Sequence, residues 1–148
     1  MRRWCFLCAV VFVLLLCGCG KPSTGSVAFR ILDGHTAEPV QNAAVVIPEA
    51  DKTVFTDANG YTEDIEVTIV EDTRFAIAKP WGEVSVLIYK DGFSDYALFY
   101  AQVQKNVRRD VITVFLYNMG AQPYALIEGP KDDWVLQMLE HYRPDDVR

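Results

Sequence analysis

Four cysteines, two histidines and a few acids and serines are the residues that could do chemistry in this 148-residue chain. Their placement removes most of it. Cys5, Cys8, Cys17 and Cys19 all fall at the N-terminus, so the remainder has no thiol for a zinc cluster, a haem attachment or a nucleophile. His35 and His141 lie far apart in the chain, without the HxH or HExxH spacing that brings two imidazoles to one ion. Ser85 and Ser94 lack the glycine pattern of a nucleophile elbow and read as strand and turn residues. Glu63, Asp64 and Glu66 could in principle supply the paired carboxylates of a glycosidase. Their alternation with Ile65 and Val67 is explained more simply as the wet face of a strand. Asp57 and Asn59 lack the further oxygen ligands and closing glutamate of a calcium loop, and read as a turn. The chain is therefore expected to be no enzyme, with no catalytic residue, metal or cofactor. Trp81, with Tyr96, Phe99 and Tyr100 beyond the next turn, could form a stacking platform for sugar or peptide. Trp81, Tyr96 and Tyr100 are the candidate ligand-binding residues, weighed against the need of a small fold for aromatics in its core.

The N-terminal segment stands apart from the rest. Arg2 and Arg3 precede an almost unbroken apolar run over residues 4–16, too short to span a bilayer comfortably and the right length for a signal core. It ends on Leu16-Cys17-Gly18-Cys19. A leucine three positions before a cysteine, with a small residue just before it, resembles the bacterial lipoprotein box. That resemblance implies that Cys19 receives diacylglycerol and becomes the mature N-terminus; Cys17 is an uncommon but tolerated middle residue. The alternatives are a secretory peptide cleaved near Gly20 and an uncleaved anchor. An anchor of two or three acyl chains holds firmly, at about 0.8 kcal/mol per buried methylene. The expected location is outside the cytoplasm, lipid-anchored to the outer face of a bacterial cell membrane. Gly20 after Cys19 offers no aspartate for inner-membrane retention.

Charge shifts with processing and narrows the partners, its simplest explanation being solubility. The chain carries 14 Lys+Arg against 20 Asp+Glu; loss of Arg2 and Arg3 leaves 12 against 20, a net charge of −8. An acidic surface argues against nucleic acid and against a polybasic grip on anionic lipid. The expected partners are the membrane, through the acyl anchor, and an envelope protein or cell-wall polymer. With no disulfide available, about 125 residues must hold together through their own core.

The elements that would position any site are short strands. Residues 26–32 (SVAFRIL) put Val27, Phe29 and Ile31 on one face. Strands follow over 43–47 and 52–56, then a turn over 57–60 with Gly60 at positive φ. Further strands are expected over 61–70, 74–78, 83–90, 96–104 and 111–117. Pro80 and Gly82 should end pairing and leave Trp81 on a loop. In 83–90, Val84, Val86 and Ile88 share one face, with Leu87 and Tyr89 on the other. Residues 111–117 (VITVFLY) are apolar on both faces and predict a central strand. About seven short strands at roughly ten-residue spacing predict an antiparallel β-sandwich. Only 131–142 changes period, with Trp134, Val135, Met138, Leu139 and Tyr142 at helical spacing and Pro144 as a stop. Trp134 is expected to dock this helix.

The run Gly25, Val27, Pro39, Val40, Ala43, Val45, Thr56, Asp57, Gly60 and Tyr61, with the Tyr89-Lys90-Asp91-Gly92-Phe93 turn, resembles the carboxypeptidase regulatory-like domain. The resemblance covers about residues 25–117 and implies a seven-stranded transthyretin-like sandwich, with no shared active site. Related collagen-adhesin sandwiches form Lys–Asn isopeptides, but the first strand here offers Arg30 and no lysine. Residues 63–79 and the C-terminal helix depart from the family pattern. The expected organisation is a signal peptide over 1–18, a lipidated flexible tether over 19–25, the all-β sandwich over 26–118, and an extension with a short helix over 119–148.

Overall fold

The computed structural model describes residues 23–70, 79–118, 126–128 and 133–147. Cys19 and the signal segment, and the strand expected over 74–78, lie outside them. The described chain is mostly β, with strands β1 (Ser23–Val27), β2 (Phe29–Asp33), β3 (Ala44–Ile47), β4 (Lys52–Phe55), β5 (Ile65–Ile69), β6 (Trp81–Tyr89), β7 (Tyr96–Gln104), β8 (Ile112–Leu116) and β9 (Leu126–Glu128). One helix, α1 (Asp133–His141), follows.

β1 and β2 are one extended run interrupted only at Ala28. β1 pairs antiparallel with β5, and β2 pairs parallel with β8. Backbone hydrogen bonds continue both ladders past the strand ends: Thr62 N–H donates to Phe29 O at 3.0 Å, and Arg109 N–H to Ser26 O at 2.9 Å. This layer faces a five-stranded sheet of order β4-β3-β6-β7-β9. Alternation decides which side chains meet between the layers. Val27, Phe29 and Ile31 from the first layer meet Val45, Ile47, Val84, Val86 and Ile88 from the second in one buried cluster. Fully burying each of these side chains stabilises the fold by about 1.5–3 kcal/mol.

Three expectations need correction. The arrangement is not wholly antiparallel, since β2/β8 and β7/β9 run parallel. β8 is not central. It pairs with β2 alone among the described strands, and Phe115 on its outer face is 43% exposed; apolar residues on both faces were a misleading cue. The first strand also starts at Ser23 rather than at 26, so part of the expected tether belongs to the sheet.

Of the expected C-terminal extension, α1 and the residues up to Val147 are packed on the sheet. The outer face of the five-stranded sheet carries Ala44, Val46, Leu87, Tyr89, Ala97 and Phe99, and these pack with Val135 and Leu139 of α1 and with Val147. The helix forms a third layer. Tyr89 reaches into it and donates its hydroxyl hydrogen to Leu139 O at 2.8 Å.

The turn over 57–60 is built from its own polar atoms. Asp57 Oδ1 accepts from the N–H groups of Asn59 and Tyr61, both at 2.8 Å. The buried Thr56 hydroxyl accepts from Ala43 N–H at 2.8 Å and donates to Val40 O at 2.7 Å. Gly60 sits at φ 78°, where a β-carbon would lie 2.4 Å from Ile31 O. We therefore expect Thr56→Val to lower stability by about 1–3 kcal/mol, because two buried backbone groups lose their partner. Gly60→Ala should cost more than Gly92→Ala, whose φ is also positive but whose added carbon meets nothing within 4 Å. Urea unfolding of the three variants checks both statements, and equal costs for the two glycines would count against the packing account.

Candidate functional site

The structure does not gather Trp81, Tyr96 and Tyr100. They occupy the two ends and the middle of the β6/β7 hairpin. Trp81 is the first residue of β6 and pairs with Gln104, so it lies in a strand and not on a loop. Pairing survives at Gly82 because the bare glycine lets the other layer come close: a β-carbon there would lie 3.1 Å from Ile69 Cγ2. The Trp81 ring is partly exposed, with Lys79 Nζ 5.9 Å from the ring centre. Its indole nitrogen is buried and has no hydrogen-bond partner among the described residues. Tyr96 pairs with Ile88 at the other end of the hairpin and is only 6% exposed, within the core between the layers. It cannot take part in a surface platform.

Tyr100 is exposed for a reason that spacing could not reveal. Between the pairs Val86–Leu98 and Val84–Ala101, β7 carries two residues, Phe99 and Tyr100, against Ser85 alone. This β-bulge flips the face of everything after it. Phe99 therefore faces α1 while Ala101 and Val103 face the other layer. Tyr100 takes the extra position at φ 62°, a conformation that bulky residues rarely adopt, and is 62% exposed. Phe99 packs beside it at 6.5 Å and meets Trp134 edge-on at 5.5 Å. Trp134 does touch the sheet as expected, yet it remains 45% exposed. A row of Tyr100, Phe99 and Trp134 thus replaces the expected group around Trp81.

The acids and serines are dispersed over the fold. Ile65 and Val67 are buried while Glu63, Asp64 and Glu66 face out, lining a cleft of about 460 Å³ between the edges of β4 and β5. In that cleft Asp64 is paired with Arg108 at 2.9 Å, and Glu49 accepts from Ser85 N–H at 2.9 Å. Ser94 is buried, and its N–H donates to Tyr117 O at 3.0 Å. His35 packs edge-on against the Tyr117 ring, and His141 against Tyr142. Among the described residues, no group of three or more His, Cys, Asp or Glu could hold a metal ion, and no helix is long and apolar enough to cross a membrane. No protein-family model matches the chain, and no curated protein matches it in sequence.

One ionisable cluster fastens α1 to the sheet. Arg143 lies over the Tyr89 ring, 5.1 Å from its centre, and forms an ion pair with Asp95. Burial raises the Tyr89 hydroxyl well above its ordinary pKa, and the nearby Asp95 carboxylate adds to this. Burial also raises Asp95 above its ordinary 3.8, outweighing the charge and hydrogen bond of Arg143, while Glu140 pushes further up. The folded protein therefore holds the Asp95 proton more tightly than the unfolded chain does. The stability contributed by this group is present below 3.8 and declines as pH rises through the raised folded value. Relative to Asp95→Asn, the native protein should thus lose stability as pH climbs through that window. Paired urea titrations from about pH 3 to 7 read the difference; a flat or rising difference would contradict the assignment.

Proposed function

We propose that the protein is a non-enzymatic, lipid-anchored β-sandwich outside the cytoplasm, acting as a binding or accessory module at the cell envelope. The observation that carries this is the order of residues at the N-terminus. Two arginines, a short apolar run and Leu16-Cys17-Gly18-Cys19 are followed at Ser23 by the first strand of a disulfide-free domain. In this reading Cys19 bears the diacylglyceryl group, the outer face of a bacterial membrane holds the anchor, and the partner is an envelope protein or wall polymer. The fold is read more finely as a transthyretin-like sandwich of the carboxypeptidase regulatory-like kind, extended by β9 and α1. Support for that comes from the paired layers and from the Thr56-Asp57-Ala58-Asn59-Gly60-Tyr61 turn, whose side chains bond its own backbone.

The second reading is a carbohydrate-binding module using exposed aromatics. Its centre moves from Trp81 to Tyr100 and Trp134, because these two aromatics are both well exposed and share a neighbour, Phe99. Stacking on a sugar face would need such a surface.

Anchoring is tested by detergent-phase partition and metabolic labelling with palmitate in bacterial cells. The native protein should enter the detergent phase and take up label, and Cys19→Ala should lose both. A native protein that stays unlabelled in the aqueous phase ends the lipoprotein reading.

A further inference from the structure

The end of the sandwich beside Ser23 brings several exposed or partly exposed side chains together. Ser23 pairs with Ile69, which places Val70 next to the first residue of β1. The β6/β7 hairpin opens at this same end. Asn106 N–H donates to Thr24 O at 2.6 Å, and Lys105 N–H to Pro80 O at 2.9 Å. A β-carbon on Gly25 would lie 2.2 Å from Gln104 O. Ser23, Val70, Pro80, Trp81 and Lys105 therefore belong to one end of the molecule. Val70 is 83% exposed, Pro80 is exposed, and Trp81 presents part of its ring beside the Lys79 ammonium.

The covalent distance to the anchor is short. Only residues 20–22 separate Cys19 from Ser23, and a fully extended chain gains at most about 3.3–3.6 Å per residue. The end at Ser23 then stands within about 14 Å of an acylated Cys19, less than the width of a small domain. Exposed apolar and aromatic surface, and lysines with apolar stems, favour the bilayer interface; the buried indole nitrogen leaves Trp81 to contribute only the apolar part of its ring.

We propose that this end of the sandwich rests on the bilayer surface, with Trp81 as its interfacial residue and Val70, Pro80 and the stems of Lys79 and Lys105 around it. The proposal rests on acylation of Cys19. The net charge of −8 for the chain without Arg2 and Arg3 means that charge attraction does not bring the domain to an anionic membrane. The anchor supplies the local concentration, and the contact sets orientation. Lipid-facing contact at Ser23 leaves the turns at the other end, around Asp33, Asp57 and Asp91, furthest from the membrane.

Removal of the signal segment leaves Trp81 and Trp134 as the two tryptophans, so each can be read alone. The lipidated full-length protein, carrying either Trp134→Phe or Trp81→Phe, is reconstituted into phosphatidylcholine vesicles containing lipid brominated high on its acyl chains. Flotation establishes anchoring in the same sample. The expected result is loss of most Trp81 emission, little loss from Trp134, and no vesicle quenching of either in the unacylated protein beginning at residue 20. Protein that floats with the vesicles while Trp81 stays unquenched overturns the interfacial contact and leaves anchoring standing. Protein that does not float overturns both. Equal quenching of Trp81 and Trp134 overturns the orientation, since Trp134 lies on the helix layer. Circular dichroism of each variant confirms that the comparison is between folded proteins.

Discussion

Everything outside the first layer depends on one constraint: the five-stranded sheet has no wet face along β3 and the C-terminal half of β6. Val45, Ile47, Val86 and Ile88 point into the space between the layers, and Ala44, Val46, Leu87 and Tyr89 point the other way. All eight are buried. A sheet apolar on both sides must be covered twice. The run from Ser23 to Asp33 with β5 and β8 provides one cover, and α1 with Val147 provides the other. Tyr89 is the point where this matters most. Its ring fills the second interface, and its hydroxyl needs a polar partner in a dry setting, which the Leu139 carbonyl supplies. Arg143 and Asp95 then close the rim beside it.

The same constraint explains what could be read from residue order alone. Period-two alternation is imposed by burial, so Val27, Phe29 and Ile31, and Val84, Val86 and Ile88 against Leu87 and Tyr89, were legible with their faces. So was the helical stripe in 131–142, of which Lys131 and Asp132 lie outside the described residues. The Thr56 to Tyr61 turn was legible because aspartate, asparagine and glycine each have a local physical reason to be there. Long-range pairing leaves no such trace. Nothing local in 111–117 distinguishes an outer strand parallel to β2 from a central antiparallel one. The β7 bulge is similarly silent: Ala97, Phe99, Ala101 and Val103 keep odd spacing, yet they divide between two faces. That single inserted residue is why Tyr100 lies beside the Phe99–Trp134 pair and not on the face of Tyr96.

Trp81 illustrates a different limit. Proline and glycine on either side were cues for a break in pairing. They are strong cues when a sheet edge is solvated, and weak ones where two layers converge and a missing β-carbon is needed for the approach. Gly82 against Ile69 is such a place. The glycine that seemed to end a strand instead permits it.

The two ends of the sandwich consequently have different capacities. At the end holding Asp33 and Asp57, carboxylate oxygens are engaged by backbone amides: Asp33 Oδ1 accepts from His35 and Thr36, and Asp57 Oδ1 from Asn59 and Tyr61. In these turns one carboxylate oxygen of each acid is committed to the backbone. At the opposite end the backbone is closed by main-chain bonds, from Lys105 to Pro80 and from Asn106 to Thr24, which leave side chains to face outward. With the chain leaving β1 at Ser23 toward Cys19, this is the end that a short tether would hold near lipid. Under the proposed acylation of Cys19, strand register alone therefore fixes which end of the sandwich lies nearer the anchor.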